Sequence, residues 1–199
     1  MKTKLLLLLL LGVQTAFGQL TRKNTIGISS GKTFFGTGDI RGYNITATYE
    51  RELHKRIFFE AQLGLATGQS YEDSSIPNNV YTISYKNNNS QKLNAGVLIA
   101  VVNHRRHLFG IHMLLGGLRT TKFRYGGYSL NPTQNPPQGL EYIPAAPFYK
   151  KELSAGFGLG VAYKLQLTRF LQIGAEGIYQ QYANGDVENT LNLGLYHSF

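Results

Sequence analysis

Apolar and polar residues alternate one by one along most of this chain, and this period of two recurs in segment after segment. In the stretch ELSAGFGLGVAYKL, Leu153, Phe157 and Tyr163 fall on one face, whereas glycines and Lys164 fall on the other. Successive side chains of a β-strand point to opposite faces, so the alternation predicts strands with one apolar face. No stretch after residue 18 keeps a helical period, and we therefore predict an all-β fold.

Eight segments carry the alternation, and each is close to the roughly 9–11 residues that a tilted strand needs to cross a bilayer. The segments are NTIGISSGKTFF, YNITATYE, IFFEAQLGLATG, QKLNAGVLIAVV, HLFGIHMLLGG, ELSAGFGLGVAYKL, RFLQIGAEGIYQQY and TLNLGLYHSF. The connections are alternately long and short. We predict loops over 35–40, 69–89, 119–149 and 183–188, and tight turns over 52–55, 103–106 and 166–168. This arrangement is typical of membrane barrels with both termini on the short-turn side.

Alternation alone does not distinguish a water-soluble barrel from a membrane barrel, which carries its apolar residues on the outside. The apolar faces here are nearly free of charge, and the opposite faces hold Glu60, Glu176 and a row of glycines that suits a narrow interior. Aromatic residues mark the ends of the apolar bands, as in an interfacial girdle. They are Tyr43, Tyr49, Tyr163, Tyr179 and Phe199. We predict an eight-stranded antiparallel up-and-down transmembrane β-barrel.

The first residues have the layout of a secretory signal peptide. Lys2 and Lys4 precede an apolar run that is too short for a membrane helix, and Ala16-Phe17-Gly18 forms a small-residue cleavage site. We predict a signal peptide over 1–18 and a barrel domain over 19–199. The chain has no cysteine, which excludes a lipoprotein and disulfides, and its formal net charge is +9. For an exported chain this charge favours anionic lipid headgroups over nucleic acid as a partner.

Several polar residues share the inward parity and are expected to line the barrel interior. They are Glu60, Gln62, His112, Lys164, Gln172 and Glu176. Buried charges need partners, so we favour a filling network of salt bridges and hydrogen bonds over a proton or ion path. The histidines are scattered without metal-ligand spacing, and we predict neither a metal nor a cofactor.

The signal peptide, the hairpin AGFGLGVAYKLQLTRFLQIGAEGIYQQY and the ending LNLGLYHSF together resemble the small outer-membrane barrels of the OmpA/OmpX type. The chain looks closest to the porin-family or outer-membrane β-barrel domains common in Bacteroidota. The resemblance implies a location in the bacterial outer membrane. Its last strand, with Leu191, Leu193, Leu195 and Phe199, resembles the C-terminal signal that the outer-membrane assembly machinery recognises.

The resemblance specifies architecture better than activity. We expect a non-enzymatic barrel with a structural or surface-interaction role, and its expected partners are outer-membrane lipid, lipopolysaccharide and an unknown extracellular ligand or envelope complex. The alternatives are a lipid A-modifying enzyme and a narrow pore. Deacylase barrels use Ser with His on one strand, but His197 and Ser198 are adjacent and must point to opposite faces. We predict no catalytic residue.

Overall fold

A computed structural model describes residues 24–36, 40–76, 80–104, 106–125 and 147–199, and these residues form a closed barrel. The predicted signal peptide over 1–18 lies outside the described residues and stays a prediction. The strands are β1 (Asn24–Phe35), β2 (Ile40–His54), β3 (Ile57–Ile76), β4 (Val80–His104), β5 (His107–Tyr125), β6 (Phe148–Gln166), β7 (Leu171–Tyr182) and β8 (Val187–Ser198). Among the described residues, no helix is long and apolar enough to cross a membrane.

Each strand pairs with the next in antiparallel register, and β1 pairs with β8 to close the sheet. The predicted all-β, eight-stranded, up-and-down barrel is therefore confirmed. Closure leaves no free edge within the barrel wall. A sheet in hydrocarbon must have no free edge, because each unpaired backbone group there costs several kcal/mol.

The two rims of the barrel differ. At the short-turn rim, β2 ends at His54 and β3 begins at Ile57, and the start of β1 lies beside the end of β8 there because these two strands are paired. At the opposite, long-strand rim, β3 and β4 have 20 and 25 residues, whereas β1, β7 and β8 have 12 each.

The predicted loops over 69–89 and 119–149 were too long. The β3–β4 ladder continues from Ser70 opposite Lys86 to Ile76 opposite Val80, and the β5–β6 ladder reaches Arg124 opposite Phe148. The residues at these ends show no sustained alternation, because apolar residues such as Ile83 and Phe123 stand singly among polar ones. A period-two test detects a strand only where one face is apolar, so it missed the strand ends that leave the lipid.

Burial is inverted relative to a water-soluble protein. The outward side chains of Leu115, Leu153 and Leu193 are 71%, 82% and 73% exposed, whereas Glu60 and His112 are fully buried at 0%. A large apolar surface of this kind needs lipid against it. The barrel therefore crosses a membrane with its apolar face outward, as the parity of the alternating segments predicts.

Glycines make room for large side chains in the barrel lumen. The ring of Tyr196 lies over Gly27 of β1, where an added Cβ would come within 2.2 Å of the tyrosine Cδ1, and over Gly174 of β7, where it would come within 2.9 Å of Cε2. An eight-stranded lumen is only wide enough for side chains, so large interior residues need glycines opposite them. Leu98, Leu114 and Tyr196 fill the remaining apolar space, each almost fully buried.

Candidate functional site: the polar lumen

The lumen holds a group of ionisable side chains that we call the central cluster: Glu50, Glu60, His112, Lys164 and Glu176. The ammonium of Lys164 forms an ion pair with Glu50. Nδ1 of His112 lies 2.6 Å from Oε2 of Glu60, and its Nε2 lies 4.0 Å from Oε2 of Glu176. The imidazole therefore stands between two carboxylates.

The strand register explains why these charges meet. Glu50 of β2 and Glu60 of β3 are directly paired across the two strands and both point inward. Like charges in such a pair repel, and they repel more strongly where water is excluded. Lys164 on β6 and His112 on β5 approach from the opposite wall and supply one partner to each carboxylate.

Neutral side chains complete the hydrogen bonding of the carboxylates. Nε2 of Gln62 donates to Glu60 at 2.6 Å. Ser29 Oγ and Asn192 Nδ2 donate to Oε1 of Glu176 at 2.8 and 3.0 Å. These hydrogen bonds give both buried carboxylates the partners that buried polar groups require.

A second ion pair lies nearer the long-strand rim. Lys92 Nζ is 2.7 Å from Oε1 of Glu188, and both side chains are almost fully buried. Thr33 and Ser90 donate to the two oxygens of Glu188 at 3.3 and 3.2 Å. We call Lys92 and Glu188 the upper pair. It closes the lumen above the central cluster.

The mouth of the lumen at the long-strand rim is partly open. Lys122 lies 2.6 Å from Asp186 and 2.8 Å from Glu152, and Lys150 also contacts Glu152. The hydrogen bonds from Lys122 and Lys150 lower the pKa of Glu152 to about 2. A cavity of about 170 Å³ lies beside Lys122 and reaches down to Glu188.

The structure brings together most of the residues predicted for the interior. Glu60, Gln62, His112, Lys164 and Glu176 lie in or against the central cluster. Gln172 lies apart, near the short-turn rim, where its Nε2 donates to Ser198 Oγ at 3.1 Å.

Sequence reasoning did not single out several partners of this network. Ser29, Asn192 and Tyr196 contact Glu176, and Lys92 has the inward parity of β4. Parity alone could have placed these residues inside. Glu188 fell within a predicted loop, so no pattern pointed to the upper pair.

The residues of the predicted assembly signal lie on the lipid-facing side of β8. Leu191, Leu193 and Leu195 are exposed, and Phe199 is also exposed at the short-turn rim, where its ring stacks on His197. Recognition by an assembly machinery stays a prediction.

His197 and Ser198 do not form a catalytic pair. His197 faces outward, whereas Ser198 faces the lumen and its hydroxyl lies 2.9 Å from that of Thr25. Adjacent strand residues point to opposite faces, which is why the two side chains stay apart.

The fold combines an apolar exterior, a closed eight-stranded sheet and a charged, filled lumen. These are the features of the small outer-membrane β-barrels, and the fold belongs to that class. Solved structures of such barrels have the same fold. Ail, the attachment invasion locus protein of Yersinia pestis, superposes with a TM-score of 0.53 at 12% identity, over 90% of this chain and 100% of that chain. A major outer-membrane protein from Thermus thermophilus gives a TM-score of 0.51 at 11% identity, over 90% and 100%.

Ail in complex with the heparin analogue sucrose octasulfate gives a TM-score of 0.51 at 12% identity, over 90% of this chain and 100% of that chain. No protein-family model matches this chain, and no curated protein matches it in sequence. These likenesses establish the fold.

Proposed function

We propose that this chain is a non-enzymatic barrel with a closed lumen that serves as a surface-interaction protein of the outer membrane. The interacting part is the sheet formed where β3, β4, β5 and β6 extend beyond the lipid at the long-strand rim, over residues 69–76, 80–90, 119–125 and 148–152. We call it the projecting sheet. In outer-membrane barrels the longer connections face the cell exterior, so the projecting sheet is placed outside the cell.

The strand lengths carry this proposal. β4 has 25 residues and β5 and β6 have 19 each, well beyond the roughly 9–11 that cross a bilayer. A chain whose only task was to span the lipid would not need these extensions. Ordered strands outside the membrane form a rigid platform, and a rigid platform loses little conformational entropy when a partner binds.

Among the described residues, the β6 edge of the projecting sheet has no strand paired to its outer side. The β6–β7 ladder ends where Gly156 pairs with Tyr182, so residues 148–152 of β6 pair only with β5 among the described strands. The backbone groups on the other side of this segment can pair with an added strand. Lys150 and Lys151 lie on this edge, and lysines at a sheet edge oppose uncontrolled self-association.

The charge of the projecting sheet favours an acidic partner. The residues of this sheet include six basic ones against three carboxylates, those of Glu72, Asp73 and Glu152. The basic residues are Lys86, Arg119, Lys122, Arg124, Lys150 and Lys151. Charge complementarity speeds association and selects partners of opposite sign. We propose that the partner is an anionic saccharide surface, such as the phosphorylated outer leaflet of a neighbouring cell or a sulfated glycan.

Binding of immobilised heparin and of sucrose octasulfate by the folded barrel in detergent tests this proposal. The variant R124Q/K150Q/K151Q should lose most of the binding, whereas K55Q/R56Q at the short-turn rim should keep it. Equal binding by both variants would show that net charge alone attracts the probe. No binding by the wild-type barrel would reject the anionic-saccharide partner.

The enzyme alternative is tested separately. Mass spectrometry of lipid A from a strain lacking this chain, and from one that overproduces it, should show the same acylation pattern. A changed pattern would establish a lipid A-modifying barrel and overturn the non-enzymatic proposal.

A further inference from the structure

We propose that the central cluster binds a divalent transition-metal ion, with His112 Nε2 and Glu176 Oε2 as its protein ligands and Glu60 as the group that orients the imidazole. The proposal rests on three observations: the orientation of His112, the separation of two buried donor atoms, and the charge balance of the lumen. It concerns the interior and is independent of the surface-interaction role.

The contact with Glu60 determines which nitrogen of His112 is available. A carboxylate accepts a hydrogen bond but cannot donate one when ionised, so the contact of 2.6 Å places the proton on Nδ1. The lone pair of the neutral ring is then on Nε2. Metal-bound histidines usually donate their other N–H to a carboxylate in this manner. Nε2 of Gln62 donates a hydrogen bond to Oε1 of the same carboxylate, at 2.6 Å.

Nε2 of His112 faces Glu176 without a hydrogen-bond partner among the described residues, although the side chain is completely buried. Its distance of 4.0 Å to Oε2 of Glu176 is too long for a hydrogen bond. Donor atoms of a tetrahedral zinc lie about 3.4 Å apart, so a shift of about 0.6 Å would bring both atoms into contact with one ion. Glu60, His112 and Glu176 offer donor atoms that all lie within 4.8 Å of one another.

Asn192 supplies a further acceptor beside the same carboxylate. Its Nδ2 donates to Glu176 at 3.0 Å, and its Oδ1 is buried without a partner among the described residues. Imidazole and carboxylate donors together suit zinc and other first-row divalent ions. Water molecules would complete the coordination, since zinc accepts water beside its protein ligands.

The charge balance of the lumen points to a divalent cation. The buried charged side chains of the described residues are four glutamates, Glu50, Glu60, Glu176 and Glu188, and two lysines, Lys92 and Lys164. With neutral His112 these groups leave two uncompensated negative charges inside the barrel. Burying unpaired charge is expensive, and one divalent ion at Glu176 cancels both charges.

Protons are the competing source of positive charge. A protonated His112 together with one protonated glutamate would also neutralise the lumen, and no metal would then bind. The two explanations differ in a measurable quantity, which is the amount of metal that stays with the folded protein.

The experiment uses untagged barrel refolded in detergent after chelator treatment, with Zn²⁺ or Co²⁺ present during refolding because the closed lumen hinders later entry. His104 and His107, which face each other across the β4–β5 turn, are first replaced by glutamine, since such a pair on the surface can bind zinc adventitiously. Metal retained after gel filtration is measured by mass spectrometry, and the fold is checked by heat-modifiable gel mobility.

We expect stoichiometric metal in this background and its loss in H112Q and E176Q. E60Q should weaken binding by about 10–100-fold, the usual effect of replacing a group that orients a metal ligand. H197Q, which removes an exposed histidine on the outer face, should retain the metal. The Co²⁺ form should show visible absorption bands of a four- or five-coordinate site, which tests the proposal even where a variant fails to fold.

Metal content in the background protein no higher than in H112Q would overturn the proposal and leave protons as the neutralising charge. Cobalt bands unchanged in a folded H112Q would also overturn it, because the ion would then lie elsewhere. Neither result bears on heparin binding at the projecting sheet, so the two proposals fail independently.

Discussion

Asn24 and Phe199 exchange two backbone hydrogen bonds. The N–H of Asn24 donates to the Phe199 carbonyl at 3.0 Å, and the N–H of Phe199 donates to the Asn24 carbonyl at 2.8 Å. The β1–β8 ladder, which pairs Thr25 with Ser198, therefore continues to Phe199. Phe199, one of the four residues of the predicted assembly signal, thus also takes part in the backbone pairing that closes the barrel.

Deletion of Phe199 should hinder assembly. It removes both bonds to Asn24 and the exposed ring, so the closing strand loses its pairing at the rim and the aromatic group that we expect the assembly machinery to recognise. Without boiling, wild-type protein from membranes should migrate as a compact band, and the deletion should lose most of it. F199Y keeps the backbone and an aromatic ring and should assemble normally. Full, rapid assembly of the deletion would reject the assembly-signal prediction.

Arginine on the lipid face should destabilise the barrel according to its depth. Leu159 lies in the middle of the apolar face of β6, and L159R should cost about 2–4 kcal/mol in the free energy of unfolding. Leu153 lies close to the long-strand rim, so L153R should cost only about 0–1 kcal/mol. Denaturant titration in lipid vesicles measures both. Equal costs at the two positions would contradict the placement of the membrane along β6.

Removal of Lys164 should destabilise the lumen. K164M leaves Glu50 directly opposite Glu60 without its cation, and an uncompensated buried charge costs about 3–5 kcal/mol. Lys164 also lies 4.2 Å above the ring of Tyr196, which adds to the loss. The double variant E50Q/K164M should recover a large part of the stability, because it removes the charge repulsion. If K164M and the double variant were equally unstable, packing against Tyr196 would account for the effect.

The ion pairs of Glu152 at the mouth should make stability depend on pH in the acid range. Lys122 and Lys150 lower its pKa from 4.5 to about 2 in the folded protein, so the stabilising effect is complete above the unfolded value. It should fall as the pH drops from 4.5 towards 2, as the carboxylate becomes protonated. The stability difference between wild type and E152Q, measured by denaturant titration, should therefore shrink over this range.

The variant K122M is the control for this pH effect, since it removes one of the two lysines that lower the pKa of Glu152. The E152Q effect should be smaller in this background. A difference between wild type and E152Q that stayed constant from pH 5 to pH 2 would contradict the assignment.

The filled lumen should not conduct ions. The Lys92–Glu188 pair and the central cluster occupy successive levels of the interior, and an eight-stranded barrel leaves little room beside them. Purified barrel in planar bilayers should give no stable single-channel steps. The variant K92A/E188A opens the upper level only and should stay closed. Porin-like steps in the wild type would show that the lumen is a pore.

The alternation of residue types was sufficient to predict the strands inside the membrane. Each segment has one apolar face, and the side chains of that face meet the lipid. The register is fixed by this face, because a shift by one residue would turn every side chain to the other side. Leu153, Leu159 and Leu193 on the outside and Glu60 and His112 on the inside follow from this parity alone. The number of strands, and the position of the start of β1 and the end of β8 at one rim, follow from the same pattern.

Only the tertiary structure decided what lies beyond the lipid and which interior residues meet. The projecting ends of β3–β6 have no sustained apolar alternation in sequence, and their strand character depends on pairing with neighbours rather than on their own composition. Parity places His112 inside but does not say that its ring lies between Glu60 and Glu176. That placement depends on the stagger of eight strands around a closed barrel, a property of the whole sheet that no single segment contains.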